Sequence, residues 1–344
     1  MFHSDNVTLR DGILKQRNSL NFIRLCLAIF VILGHSYPLA YGSHGRLEFL
    51  GGLAVNLFFC ISGFLILASA QNVNIFSYIW RRFLRIFPGF WVSLIFVSFV
   101  AYPISYFLGF SSGALNLNSS FEFIINNFLL KMNQFDISGG PVGVPFDKAW
   151  NGSLWTLWYE FIAYLCIIPL AYIPIIKDWQ RWTFTIAFVV SLGMYPLLEM
   201  VNTSTNMYYN FARLVPMFLA GSVLYVWGDK IRVSLIPSLI SLTIILLVSA
   251  LDMFSDALHV SQIFFAYGIL SLACIIKIYI GYRNDLSYGV YIYAFPVQQL
   301  VVMVGIPVLG MVTNNIIVLS ATLVLAYLSW TFVEKPAMSL KNKI

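Results

Sequence analysis

Runs of about 20 apolar residues, the length of helix that crosses a bilayer core, recur along this chain and constrain it more than any other feature. Ten fall near residues 20–41, 50–70, 87–110, 153–176, 182–200, 207–228, 233–251, 260–280, 286–306 and 313–333, with the eighth and ninth nearly continuous. They are too long and too continuously apolar for the alternating strands of an outer-membrane barrel, each about ten residues long. Only 10% of the residues are charged, against about 25% in soluble domains. The expected fold is therefore all-α and polytopic, with about ten transmembrane helices. The first run is too long for a signal-peptide core and reads as an uncleaved first span, so the chain is expected to begin at or near Met1.

Orientation follows from Lys and Arg, which favour the cytoplasmic side. With the N-terminus inside, fifteen of the twenty fall in inner segments, among them Arg10, Lys15, Arg17, Arg81, Arg82, Arg85, Lys177, Arg181 and Lys341. Outer segments hold Arg46, Lys131 and Lys148, while Arg24 and Arg213 lie within spans. Both termini are thus expected in the cytoplasm. The net charge of +6 reflects topology, and nucleic acid is excluded as a partner. The expected layout is one integral membrane domain over 1–344, with a cytoplasmic segment 1–19, a long extracytoplasmic loop 111–152 and a cytoplasmic tail 334–344.

Inside the first run, LNFIRLCLAIFVILGHSYPLAY, stand Arg24 and His35. An ionisable group in hydrocarbon is costly unless it faces a bundle interior, a partner or water, so this helix is a candidate functional site. Steps of about 100° and about 1.5 Å per residue put both side chains on one face, about 16 Å apart along the axis. Two more ionisable groups fall within spans. Glu160 lies in NGSLWTLWYEFIAYL and Arg213 in NMYYNFARLVPMFLAG, and an ion pair between them is one structural reading. Counted from the span ends, His35 lies about 22 Å from the inner surface, and Glu160 and Arg213 lie about 10 Å and 9 Å from the outer one. The three are expected in one layer, with Arg24 nearer the inner surface at the depth of Arg81, Arg82 and Arg85. A tunnel joining these two levels is the expectation.

The remaining features admit two readings each. The segment WRRFLRIFP closes an inner loop, and its arginines serve either as a positive-inside anchor or as a phosphate site, with Arg81 and Arg85 one turn apart on a helix face. In GGLAVNLFFCISGFLIL the small and polar residues, including Asn56, Ser62 and Gly63, allow close helix packing or orient a substrate. In the outer loop, Phe121, Ile124, Ile125, Phe128, Leu129 and Met132 recur at helical spacing, opposite Glu122, Asn126, Asn127 and Lys131. This is an amphipathic helix that lies on the membrane or binds an acceptor. The turn-rich GGPVGVPFDKAWNG that follows is a candidate lid. Cys26, Cys60, Cys166 and Cys274 have no metal-like spacing, so no metal site or disulfide framework is expected.

Together these segments resemble the acyltransferase-3 family of integral membrane acyltransferases, many of which O-acetylate bacterial surface glycans. The matches are the Arg-x10-His helix with Arg24 and His35, NLFFCISGFLI at 56–66, RRFLRIFP at 81–88, NGSLWTLWYEF at 151–161, ARLVPMFLAG at 212–221, LSYGVYIYAFPV at 286–297 and FVEKP at 332–336. Two positions depart from the pattern. Asn21 stands where an aspartate usually precedes the arginine, and Ala294 where a histidine often precedes the last aromatic and proline, so a mechanism using that histidine does not carry over.

The resemblance implies transfer of an acyl group, expected to be acetyl from cytoplasmic acetyl-CoA, to a hydroxyl of an extracytoplasmic polysaccharide or lipid-linked glycan. It also implies a bacterial inner-membrane location. Acyl-CoA is a co-substrate, and no permanently bound cofactor is expected. The partners are membrane lipids, acyl-CoA and the glycan acceptor. His35 is the expected general base or, in a two-step route, the acylated nucleophile. Arg24 would bind the donor or stabilise developing charge, and Glu160 would orient or charge-balance His35. Arg24, Arg81, Arg82 and Arg85 are the expected donor site, and Arg213, Trp155, Tyr288 and Tyr291 the expected substrate contacts. The alternative is a transporter or flippase for a glycolipid or small acylated metabolite, since intramembrane charges also mark transport paths. Transporters often carry an internal repeat, and no repeat is visible between the two halves.

Overall fold

The structure is a computed structural model that describes residues 7–201, 206–251 and 262–343. The start of the expected N-terminal segment, the first two residues of the eighth run and the last residue of the tail lie outside the described residues. Among the described residues the chain is helical and has no strand, only the isolated bridges Thr8–Arg232 and Ile137–Gly140. Every apolar run forms helix. Six helical stretches are long and apolar enough to cross a membrane: Leu20–Tyr41, Phe49–Ala70, Ile75–Phe107, Gln180–Met200, Met207–Val226 and Met311–Asn342. Thr156–Tyr172 and Ser287–Met303 have 17 residues each, at about 1.5 Å per residue shorter than a hydrocarbon core of about 30 Å, and the described parts of two further apolar helices are Leu235–Leu251 and Gln262–Ile275.

The third run begins twelve residues before its expected start at 87, because the helix starts at Ile75. Asn74 accepts the Ser77 amide at 2.8 Å and caps the helix there. The three arginines depress hydropathy over a turn that is nonetheless helical, so Arg81, Arg82 and Arg85 lie on a helix and not at the end of a loop. The helix widens into a π-turn at Val97–Ala101 and ends at Phe107.

The chain divides into two compact units. The first comprises 1–24, 53–78 and 159–282. At its centre the helices Phe49–Ala70 and Asn206–Val226 cross where neither has a side chain. A Cβ on Gly63 would lie 1.9 Å from the Phe218 carbonyl oxygen, and one on Gly221 1.9 Å from that of Cys60. Such close approach is what small residues permit in membrane helices. Ser222 Oγ bonds the Gly63 carbonyl at 3.1 Å across this crossing. The N-terminal helix Leu9–Leu14 is pinned to the end of Asn206–Val226 through Arg10 N to Gly228 O at 3.1 Å.

The second unit comprises 25–52, 79–158 and 283–344. Ser287–Met303 is buried over nearly its whole surface, as a core helix is, and its polar Gln298 and Gln299 are hydrogen-bonded within the core. It packs on Met311–Ser329, with Gly289 against Ala326, and the turn between them uses Gly305 and Gly310 at φ +76° and +98°. The loop over 111–152 is tied down rather than open. Gln299 Nε2 donates to the carbonyls of Phe146 and Ala149 at 2.7 and 2.8 Å, and Asn151 Nδ2 to that of Ile292 at 2.8 Å. The amphipathic helix runs from Leu117 to Asn127, earlier than its expected span. Buried Asn127 accepts the amides of Asn133 and Gln134 and turns the chain away, which leaves Phe128, Leu129, Lys131 and Met132 beyond the helix. Phe123 is its buried anchor, whereas Phe121, Ile125, Phe128 and Leu129 are exposed.

Candidate active site

His35 belongs to the second unit, on the face of Leu20–Tyr41 that meets the start of Phe49–Ala70. A Cβ on Gly34 would sit 2.6 Å from Gly51 N, so two glycines bring the backbones together beside the imidazole. His35 Nδ1 lies 2.8 Å from the Val31 carbonyl oxygen. A carbonyl only accepts, so Nδ1 carries a proton, and in the neutral tautomer this bond selects, Nε2 is the basic nitrogen. The Phe295 ring meets the imidazole edge-on at 5.6 Å, and Gly152 leaves room for that ring. Ser36 and Gln298 both donate to the Ile32 carbonyl, at 2.8 and 2.9 Å, and fix the helix turn that carries His35.

Glu160 and Arg213 belong to the first unit, and one helix anchors both. Ser62 Oγ donates to Glu160 Oε1 at 2.6 Å, and the Tyr164 hydroxyl donates to the same oxygen from one turn along Thr156–Tyr172. Asn56 Oδ1 accepts Arg213 Nε at 3.2 Å. Asn56 and Ser62 thus hold two ionisable side chains, a role beyond packing. Asn210 bonds the Tyr159 hydroxyl at 3.3 Å, one turn from Arg213 on its own helix. Arg24 is half-buried near the start of Leu20–Tyr41.

The arginine cluster divides by partner. Arg85 is mostly buried and bonds Asp285 Oδ2 at 2.7 Å, with Glu334 Oε2 at 4.0 Å from its other terminal nitrogen. Arg81 reaches Asn342 at 3.3 Å. Of the expected substrate contacts, Tyr288 donates to the Ile86 carbonyl at 2.6 Å, and Tyr291 to the Ser153 carbonyl at 2.6 Å while also meeting Thr156 Oγ1. Both rings are buried, and their hydroxyls fasten the RRFLRIFP and NGSLWTLWYEF segments to Ser287–Met303. Trp155 is half-buried next to Thr156.

Sequence reasoning did not single out Tyr164, Asp285, Glu334 or Gln298. Tyr164 was signalled by its place four residues after Glu160, and Glu334 by standing in FVEKP. Asp285 immediately precedes LSYGVYIYAFPV. Among the described residues no group of three or more His, Cys, Asp or Glu is placed to hold a metal ion.

Comparison with known proteins accounts for these motifs. A family described as the acyltransferase domain, acyltransferase 3, matches residues 17–331. An O-acetyl transferase of Shigella phage Sf6 is 29% identical, over 92% of this chain and 95% of its own length. Nodulation protein 10 of Rhizobium leguminosarum bv. viciae is 25% identical, over 95% of each chain. No solved structure gives a significant match. A family match through nearly the whole chain, on a protein built of several membrane-length helices, means that this multi-pass membrane acyltransferase belongs to the acyltransferase-3 family.

Proposed function

We propose that the protein is an O-acyltransferase that moves an acetyl group from cytoplasmic acetyl-CoA to a hydroxyl of an extracytoplasmic polysaccharide or lipid-linked glycan in a bacterial inner membrane. The observation that carries this reading is the hydrogen bond from His35 Nδ1 to the Val31 carbonyl, which makes Nε2 the nitrogen that can accept a proton. The relative from phage Sf6, by its name an O-acetyl transferase, supports oxygen as the acceptor atom and acetyl as the group.

A sugar hydroxyl is a weak nucleophile at neutral pH, so removing its proton is where a base acts. His35 Nε2 takes that proton as the hydroxyl oxygen attacks the thioester carbonyl. The new C–O bond forms as the C–S bond breaks, and the proton passes on to the departing thiolate. Arg24, Arg81 and Arg82 bind the donor phosphates, and Arg85, held by Asp285 and Glu334, positions the helix turn that carries its neighbours. Glu160 and Arg213 charge-balance and orient the reacting groups, and Trp155 contacts the acceptor. The full count of ten spans and the cytoplasmic placing of both termini belong to this proposal.

Membranes carrying the protein, incubated with radiolabelled acetyl-CoA and surface polysaccharide from its host, are expected to leave alkali-labile label on the polysaccharide. Label that stays with CoA and water-soluble products alone would refute the proposal.

A further inference from the structure

The first unit also holds a cavity of about 530 Å³ beside the last turn of Asn206–Val226, away from Glu160 and Arg213 in the chain and lined by residues the transfer reaction does not use. Its walls include Arg10, Lys177, Gln180 and Arg181, with Trp179 and Trp182 at its edge. The two guanidiniums are fixed in advance. Arg10 donates to the carbonyls of Tyr225 and Val226 at 2.9 to 3.2 Å. Arg181 donates to the Val226 carbonyl at 3.2 Å and to Asp229 at 2.6 Å. Each is thereby held along one edge and keeps a terminal nitrogen that bonds nothing among the described residues.

Gln180 adds a third preset donor. Its Oε1 accepts from Gln71 Nε2, and Gln71 Oε1 accepts the Tyr225 hydroxyl at 2.8 Å, which fixes both amides. Gln180 Nε2 is then buried without a hydrogen-bond partner among the described residues. Buried donors are normally paired, so an unmet one facing a polar cavity points to an acceptor supplied from outside. Three cations line the cavity with one carboxylate, Asp178, and a second carboxylate, Asp229, stands beside both arginines, 3.9 Å from Arg10 and 2.6 Å from Arg181. Trp179 and Trp182, 63% and 56% exposed, give the rim the amphipathic rings that favour a membrane interface or a flat ligand.

We infer that this cavity binds the phosphate of an organic phosphate, with Gln180 Nε2 and the free edges of Arg10 and Arg181 donating to its oxygens and Lys177 balancing its charge. Two sources share that chemistry: the headgroup of an anionic phospholipid, and the phosphates of a free soluble nucleotide. The inference does not depend on the transfer reaction, since binding is read without turnover.

The test uses the full-length protein in neutral detergent. Phosphatidylglycerol binding is followed by native mass spectrometry and adenosine 3′,5′-bisphosphate binding by equilibrium dialysis. Gln180→Glu keeps the acceptor for Gln71 but replaces the free donor with an anion, and Lys177→Glu reverses a charge on an exposed side chain. At least one probe is expected to bind the wild type and to lose about tenfold or more in affinity in each variant, the scale of one hydrogen bond to a charged group. Loss confined to phosphatidylglycerol assigns a lipid, and loss confined to the bisphosphate assigns a soluble nucleotide. Binding of neither probe, or unchanged affinity in both variants, overturns the inference and leaves the His35 proposal, which is read by turnover, standing.

Discussion

Replacing His35 with alanine removes Nε2, the nitrogen proposed as the base, and the transfer rate is expected to fall by about 10² to 10⁴ while the protein still inserts and folds. Wild-type turnover in His35→Ala would show that the base lies elsewhere. Arg85 predicts a different response. Its side chain is 16% exposed and faces Asp285 and Glu334, 12% and 2% exposed, so Arg85→Ala strips a cation from two buried carboxylates. Removing one partner of a buried pair costs about 3 to 5 kcal/mol. Thermal unfolding in detergent should show that loss for Arg85→Ala and almost none for Arg81→Ala, whose contact with Asn342 is exposed. Arg24, His35, Glu160 and Arg213 were legible as candidates because charge in an apolar run has no neutral explanation. The partners were less so. Nothing in the order of residues says that Ser62 serves Glu160, or that Asn56 serves Arg213, because both contacts join segments about a hundred or more positions apart.

Helix packing carries the next prediction. Gly63 and Gly221 sit where a Cβ would fall 1.9 Å from a facing carbonyl oxygen, closer than any rotamer change can relieve, since the obstacle is backbone. Gly63→Ala and Gly221→Ala should each separate the two helices and destabilise the fold by about 1 to 3 kcal/mol or more. The monodisperse peak in size-exclusion chromatography should shrink accordingly. Gly113→Ala, with nothing within 4 Å of its Cβ, is the control and should leave that peak unchanged. If the two helix variants match the control, the close crossing is not needed. Apolar run length revealed the elements themselves, and the small residues of the second run signalled close approach. Helix ends were less legible wherever side chains decided them. Asn74 starts a helix twelve residues before hydropathy rises, and Asn127 ends one that the apolar spacing would prolong.

For the whole molecule, the sequence speaks most strongly through charge and family. Reporter fusions at Gly140 are expected to be extracytoplasmic and fusions after Lys341 cytoplasmic, because orientation follows Lys and Arg in short flanking segments. The opposite result would reverse the placing of donor and acceptor. Among the described residues six helices reach membrane length on their own, whereas Thr156–Tyr172 and Ser287–Met303 fall short of it, so length separates the clear spans from the proposed ones. Motif order from Arg24 to Pro336 pointed to the acyltransferase family whose model matches residues 17–331. The acceptor was not legible, since sugar-binding groups are ordinary hydroxyls, amides and rings without a fixed spacing. Mass spectrometry of surface polysaccharide from cells with the wild-type protein, with His35→Ala and with none shows whether the protein acetylates a surface glycan through His35. Glycan heavier by acetyl groups is expected only with the wild type. Identical masses in all three samples, or equal acetylation with His35→Ala at matched protein levels, would contradict this.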